Sequence, residues 1–424
     1  MSGKGQDEGG LRAQRTLWAD PGWRRWVLAS LFPRLGGAMM PFALLLVGEA
    51  ALGSFASGAW MTSAYAVGAA VASPFRGRQM DRSPLPGALR TPLLMQALLC
   101  GAMALAGAAR APLPVLLLLS LLLGVVPAGL AGAYRALLPS LLSPHQMAPA
   151  FAIDAVLIEV AWMGGPPLVG ALALVHPGLS LAAIGAGALV TLGANRWLPA
   201  RAPPPSSTLP GDKVSLRPML RGMPLLVYVS VVACGVSWGA VDTALPPRLV
   251  EMGSRAELWG GLSALLSVTS ALGGLIHASL LRPASAARAL WRALVFQALW
   301  GGLLLPTVWM NSFLGLGGWL AAAGLFLAPL VGLLTYLLQQ SLPADRQAEG
   351  FALYGACWAL GIGAGSALTA LLLHHASARM ALVPTGIVPL MTAVAVALMA
   401  RALRPGRLRK DSEVAQTRDV GGEP

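Results

Sequence analysis

The sequence predicts an all-α integral membrane fold of twelve transmembrane helices in two pseudo-symmetric six-helix bundles, on three observations. Of 424 residues, 56% are hydrophobic and only 11% carry charge. A soluble chain of this size has no room to bury so much apolar surface. The intervals between charged clusters run to about 20 residues, enough to cross a hydrocarbon core as a helix. In lipid the backbone must satisfy its own hydrogen bonds, which favours helices. Finally, the second half repeats the first at a displacement of 200 residues: Leu137/Leu337, Leu138/Leu338, Leu142/Leu342, Phe151/Phe351, Ala152/Ala352 and Gly165/Gly365 align without a gap. Two copies in one orientation meet at an interface, and such an interface is where a solute can be held.

In chain order, residues 1–25 form a polar N-terminal tail, followed by an apolar run long enough to span, so no cleavable signal peptide is expected. Trp23 and Trp26 beside Arg24 and Arg25 read as an interfacial anchor. The spans fall near 26–47, 53–74, 91–109, 113–134, 150–174 and 178–198 in the first bundle (26–199). In the second bundle (223–403) they fall near 223–245, 257–281, 289–310, 313–338, 350–373 and 380–402. Between the bundles, 200–222 is Pro-rich and charged, the composition of a linker. The tail 404–424 is polar. Gly36-Gly37 with Pro41, Gly164-Gly165-Pro166-Pro167 and Pro246-Pro247 permit close packing and bends within spans.

Charge placement gives the orientation. Of 30 Lys and Arg, 25 fall on the side of the termini, four (Arg110, Arg248, Arg255, Arg379) on the other, and Arg34 inside the first span. The positive-inside rule then puts both termini in the cytoplasm of a multi-pass protein of the cell membrane. Much of the net charge of +13 is thus a topology signal, and no nucleic-acid partner is expected. Cys100, Cys234 and Cys357 lie inside spans, with neither a disulfide framework nor metal-ligand spacing. The sequence offers no nucleotide loop and no nucleophile–base pair, so neither a cofactor nor enzymatic activity is expected.

Two six-helix halves with a linker and termini on one side resemble the major facilitator superfamily. That family's loop between helices two and three reads Gly-x-x-x-Asp-Arg-x-Gly-Arg-Arg. Gly77-Arg78-Gln79-Met80-Asp81-Arg82 fits its first half, and Ser83-Pro84-Leu85-Pro86 replaces the rest. Gly165-Pro166 followed by Gly170 is similar to the glycine-proline motif of drug/proton antiporters, and Asp154–Gly170 looks like efflux-type permeases of actinobacteria. The resemblance implies alternating access, with Gly77, Asp81 and Arg82 as a cytoplasmic gate. Read physically, Gly77 permits a tight turn, and Asp81 near the start of helix three caps it or pairs across the halves. Antiporters of the family often carry an Arg within helix four; 113–133 has none, and Arg135 sits at its end.

Ionisable groups inside spans are costly and are functional candidates by default. Here they are Arg34, Asp154, Glu159, Asp242 and His277. Arg34 and Glu159 each lie about ten residues into a span, roughly 15 Å deep. The repeat mates of Asp154 and Glu159 are Tyr354 and Ala359, so neither acid is required to build a bundle. In the resembled fold helices one and five are neighbours. An approach of Arg34 to Glu159 is therefore expected, either as a pair coupled to proton or substrate or as a structural pair. Asp154 reads as an acid at the cytoplasmic end, Asp242 as an external gate or cap, and His277 as a bundle residue. Tyr65, Trp162, Trp238, Tyr336, Tyr354 and Trp358 are cavity candidates by the same resemblance. An aromatic, weakly charged cavity suits a hydrophobic or amphipathic solute, including a cation.

The expected function is secondary active transport: export of such a small molecule, driven by protons, by a monomer embedded in the lipid bilayer. The alternative is an uptake permease or uniporter for a small nutrient, disfavoured for sugars by the scarcity of intramembrane amides (Gln96, Gln297, Gln339 and Gln340 are the main ones). A membrane enzyme or lipid-handling protein ranks behind both.

Overall fold

The computed structural model describes residues 17–81, 83–199, 220–280, 285–342 and 347–402, and its elements are helices. Among them twelve are long: α1 (Pro21–Leu52), α2 (Phe55–Asp81), α3 (Arg90–Ala108), α4 (Leu113–Leu141), α5 (Pro144–Ala173), α6 (Gly178–Ala194), α7 (Met223–Glu251), α8 (Trp259–Leu280), α9 (Ala286–Leu304), α10 (Phe313–Ser341), α11 (Gln347–His375) and α12 (Ala378–Ala402). Residues 1–16, most of the expected linker (200–219) and the tail from 403 lie outside the described residues.

Eleven of the twelve are long and apolar enough to cross a membrane by composition alone. The exception, α2, is diluted by Ser57, Gly58, Thr62, Ser63 and Tyr65. The small ones have a use. Gly58 lets α2 lie against the Leu45 backbone of α1, and Thr62 donates to the Pro41 carbonyl of α1 at 3.0 Å. Ser63 stands beside Gly363 where α2 packs on α11 of the other half.

Helix ends follow local chemistry. The Asp20 carboxylate accepts from the Gly22 N–H at 2.7 Å and Pro21 opens α1, while Gly53 at φ 66° ends it. Ser143 and Gln146 make a capping box that starts α5 six residues before the expected 150. A span expected to be continuous, α4 is interrupted between Val125 and Leu130, where Pro127 removes a donor and Gly129 takes φ 85°.

Two expectations are corrected here. Gly77 makes no tight turn: α2 stays helical through Asp81, and the turn comes at 83–86. The tight approach here belongs to Gly129 at the α4 break, where a Cβ would stand 3.2 Å from the Gly77 nitrogen, whereas a Cβ on Gly77 itself would meet open space. Trp23 and Trp26 are not interfacial anchors. Both are fully buried and stacked at 5.0 Å, because α1 begins inside the bundle against α4.

The core divides into three clusters, and their placement defines the state of the molecule. At the end away from the termini one cluster joins both halves, running from Met39–Val47 of α1 to Val241–Leu249 of α7 and Trp259 of α8. At the end of the termini each half has its own: Trp26, Leu93, Tyr134 and Leu137 in the first, Leu226, Val231, Leu294 and Leu334 in the second. Among the described residues the halves therefore share a core at one end and have separate cores at the other. α2 on α11 and α5 on α8 carry the seal.

The seal depends on backbone approach. Any side chain at Gly260 of α8 would put a Cβ 2.6 Å from the Pro166 carbonyl oxygen of α5, and Gly170 is equally crowded by the Glu257 backbone. Gly260→Leu is expected to open this end. An Ala256→Cys probe, buried in the sealed state, should then react with an impermeant maleimide about tenfold faster, the factor for a shift of about 1.4 kcal/mol.

Candidate functional site

One stripe of α5 faces the other half. Gly170 meets Glu257, Pro166 meets Gly260, and the Trp162 ring packs edge-on against Trp238 of α7 with centroids 5.9 Å apart. Steps of three or four residues keep these positions on one side of the helix. One turn further toward the termini the stripe reaches Glu159. There the halves have parted, and Glu159 is exposed and makes no ion pair among the described residues. Val156 and Val160 beside it are also exposed. On this stretch of α5 the described wall is thus apolar around the Glu159 carboxylate, and Trp162 and Trp238 lie above it as a roof. Trp238 is backed by Trp300, stacked at 6.5 Å, whose indole N–H donates to Ser237 Oγ at 2.9 Å.

Arg34 does not approach Glu159. Its guanidinium instead pairs with Asp154, and Arg135 Nε donates to the other oxygen of Asp154 at 2.6 Å. The reason is angular: five residues along an α-helix is a rotation of about 140°, so Asp154 and Glu159 cannot share a partner. Asp154 points into its own half, toward α1 and α4, while Glu159 points out of it. The pair is dry, with side chains of Arg34 and Asp154 only 5% and 2% exposed. Arg34 also donates to the Ser30 carbonyl at 2.7 Å and lies 5.4 Å from the Trp26 ring centre. Trp26 Nε1 donates to the Tyr134 carbonyl (2.7 Å), and the Tyr134 hydroxyl donates to Asn195 Oδ1 (2.9 Å). The network ties α1, α4, α5 and the end of α6 together. In the second half the mates of Arg135 and Asp154 are Thr335 and Tyr354, which stand side by side uncharged.

The other candidates are scattered. Trp162 and Trp238 meet, whereas Tyr336 and Tyr354 pack against the core of the second half, Trp358 touches both that core and the shared one, and Tyr65 rests on the shared core. Asp242 is buried near the sealed end and accepts from Trp259 Nε1 at 2.8 Å, joining α7 to α8. His277 lies edge-on to Phe296 of α9. Of the expected gate, Gly77 is as described above, while the Asp81 side chain and Arg82 lie outside the described residues.

Two arginines take roles that their sequence positions do not announce: in the sequence Arg135 stands only at the end of helix four and Arg76 only among the topology charges. Arg135 completes the Asp154 site. Arg76 donates to the Val126 carbonyl at 2.9 Å and to Gln79 Oε1 at 3.0 Å, satisfying an acceptor at the α4 break. The break itself was legible in Pro127 and Gly129.

Similarity to known proteins runs along most of the chain. The family profile described as Major Facilitator Superfamily matches residues 26–366. An uncharacterized MFS-type transporter, y4rN, of Sinorhizobium fredii is 29% identical over 276 residues, covering 62% of this chain and 67% of that one. Among solved structures, a bacterial homolog of the human lysosomal transporter Spinster, in an inward-facing and occupied conformation, superposes with a TM-score of 0.68 at 16% identity, over 90% of this chain and 98% of its own. The nucleoside transporter NupG superposes with a TM-score of 0.66 at 10% identity, over 88% and 99%. At such identities the structures share the fold.

Proposed function

The chain belongs to the major facilitator superfamily and is a membrane transporter, and from that premise we propose that it exports a small hydrophobic or amphipathic solute in exchange for protons. The observation that carries this reading is Glu159, a carboxylate with no ion pair among the described residues, one turn below the Trp162–Trp238 roof on the face of α5 that meets the other half. The 25-to-4 distribution of basic residues supports cytoplasmic termini. The separated end is then the cytoplasmic one, and the conformation is inward-open. A solute entering from the cytoplasm meets apolar walls, an aromatic roof and one acid. A cationic solute displaces the proton of Glu159 and takes its place, and rocking of the halves carries it past the roof. Reprotonation from outside resets the cycle. The Arg34–Asp154–Arg135 cluster keeps the first half rigid while it moves.

Sealed vesicles holding the purified protein and a pH dye test this directly. Addition of a transported hydrophobic amine should move protons in the opposite sense to the amine. A labelled solute that equilibrates with no proton movement would overturn the exchange and leave a uniporter. The roof makes its own prediction: Trp162→Ala removes an aromatic surface worth about 1–2 kcal/mol to a bound cation, so the apparent KM should rise roughly 5- to 30-fold with a smaller change in maximal rate.

A further inference from the structure

A second hollow lies away from the solute path, on the outer face of the first half. There α3 and α6 run side by side, packed on helices of their own half. Their seam holds a groove of about 550 Å³ walled by Leu94, Met95, Leu98 and Leu192, with Arg90 and Arg196 at the end nearest the termini. A smaller hollow of about 260 Å³ adjoins it, shares both arginines, and reaches inward to Asn195. We propose that this seam is a binding site for an anionic phospholipid of the leaflet on the terminus side, with the phosphate held by Arg90, Arg196 and the Asn195 amide and an acyl chain lying in the groove.

Three observations converge on that occupant. First, Arg90 and Arg196 are exposed and have no acidic or hydrogen-bonding partner among the described residues. Second, Asn195 is only 4% exposed; its Oδ1 is taken by the Tyr134 hydroxyl, but its Nδ2 donor is buried without a partner. An unpaired buried donor costs free energy until an acceptor arrives, and a phosphate oxygen is such an acceptor. Third, the groove continues the charged end with apolar wall: from Arg90 to Leu98 the helix rises about 12 Å, which fits the upper part of an acyl chain. Exposed Trp197 next to Arg196 marks the interfacial level at which a headgroup sits. Among the described residues no carboxylate lines either hollow, so none of them attracts the ammonium of a zwitterionic headgroup. The second half supplies a contrast. At its corresponding third and sixth helices, Arg401 of α12 lies over the Trp291 ring of α9 at 5.4 Å, where an aromatic face already covers the cation.

Native mass spectrometry of the full chain released from detergent micelles reads the site without reference to transport. With phosphatidylglycerol added, one lipid should stay bound at concentrations where phosphatidylcholine is lost. The double variant R90Q/R196Q should weaken that retention roughly tenfold or more. R24Q/R25Q, which removes two exposed arginines of α1 on the same side, should leave it unchanged. Soluble sn-glycerol 1-phosphate, with the charge but no chains, should not be retained. Equal retention of the two lipids, equal loss in both double variants, or retention of the glycerol phosphate would each overturn the proposal.

Discussion

Glu159→Gln is expected to abolish substrate-driven proton movement, by on the order of 100-fold, while leaving the protein folded. An amide keeps the shape and polarity of the side chain but has no proton to exchange. Glu159 is exposed and makes no ion pair among the described residues, so its loss should hardly change the thermal midpoint. Solute–solute exchange across vesicles should persist in the variant, because the Trp162–Trp238 roof and the seal between the halves are untouched. That combination, exchange kept and proton flux lost, is the signature of a coupling residue. Proton flux equal to wild type would remove Glu159 from the coupling path. A drop of many degrees in the midpoint would make it a packing residue.

The reverse pattern is expected at Asp154. Removing its charge in Asp154→Asn strands Arg34, whose side chain is 5% exposed, and removes the anchor of Arg135. Truncating one member of a buried ion pair costs about 3–5 kcal/mol, a large share of the stability of any domain. The variant should express poorly and unfold well below wild type in detergent. Arg135→Gln should cost only about 1 kcal/mol, because that side chain is 46% exposed and water screens its loss. Arg34→Met combined with Asp154→Leu should recover most of the stability, since an apolar pair of similar volume has no charge to desolvate. If Asp154→Asn unfolds like wild type while transport fails, the cluster belongs to the transport cycle and not to the framework.

The contrast between these acids marks what each level of description could see. Residue by residue, the sequence carries hydrophobicity, charge and breaker residues. Those determined the number of spans, the two halves and the clustering of positive charge on one side; the α4 break at Pro127 and Gly129 was carried by breaker residues but read as a continuous span. It could also nominate Glu159 and Asp154, because any acid in a span is costly. What it lacked was rotation. Helices set in lipid are apolar on most faces, so no hydrophobic stripe announces which side turns inward. Only the tertiary structure decided that Arg34 meets Asp154, that Trp23 and Trp26 are buried, that Gly77 stays helical beneath the α4 break, and that the halves are sealed around Trp162 and Trp238 at one end alone. Each depends on how neighbouring helices turn about their axes and how closely their backbones approach, and packing settles both after the membrane has settled the lengths.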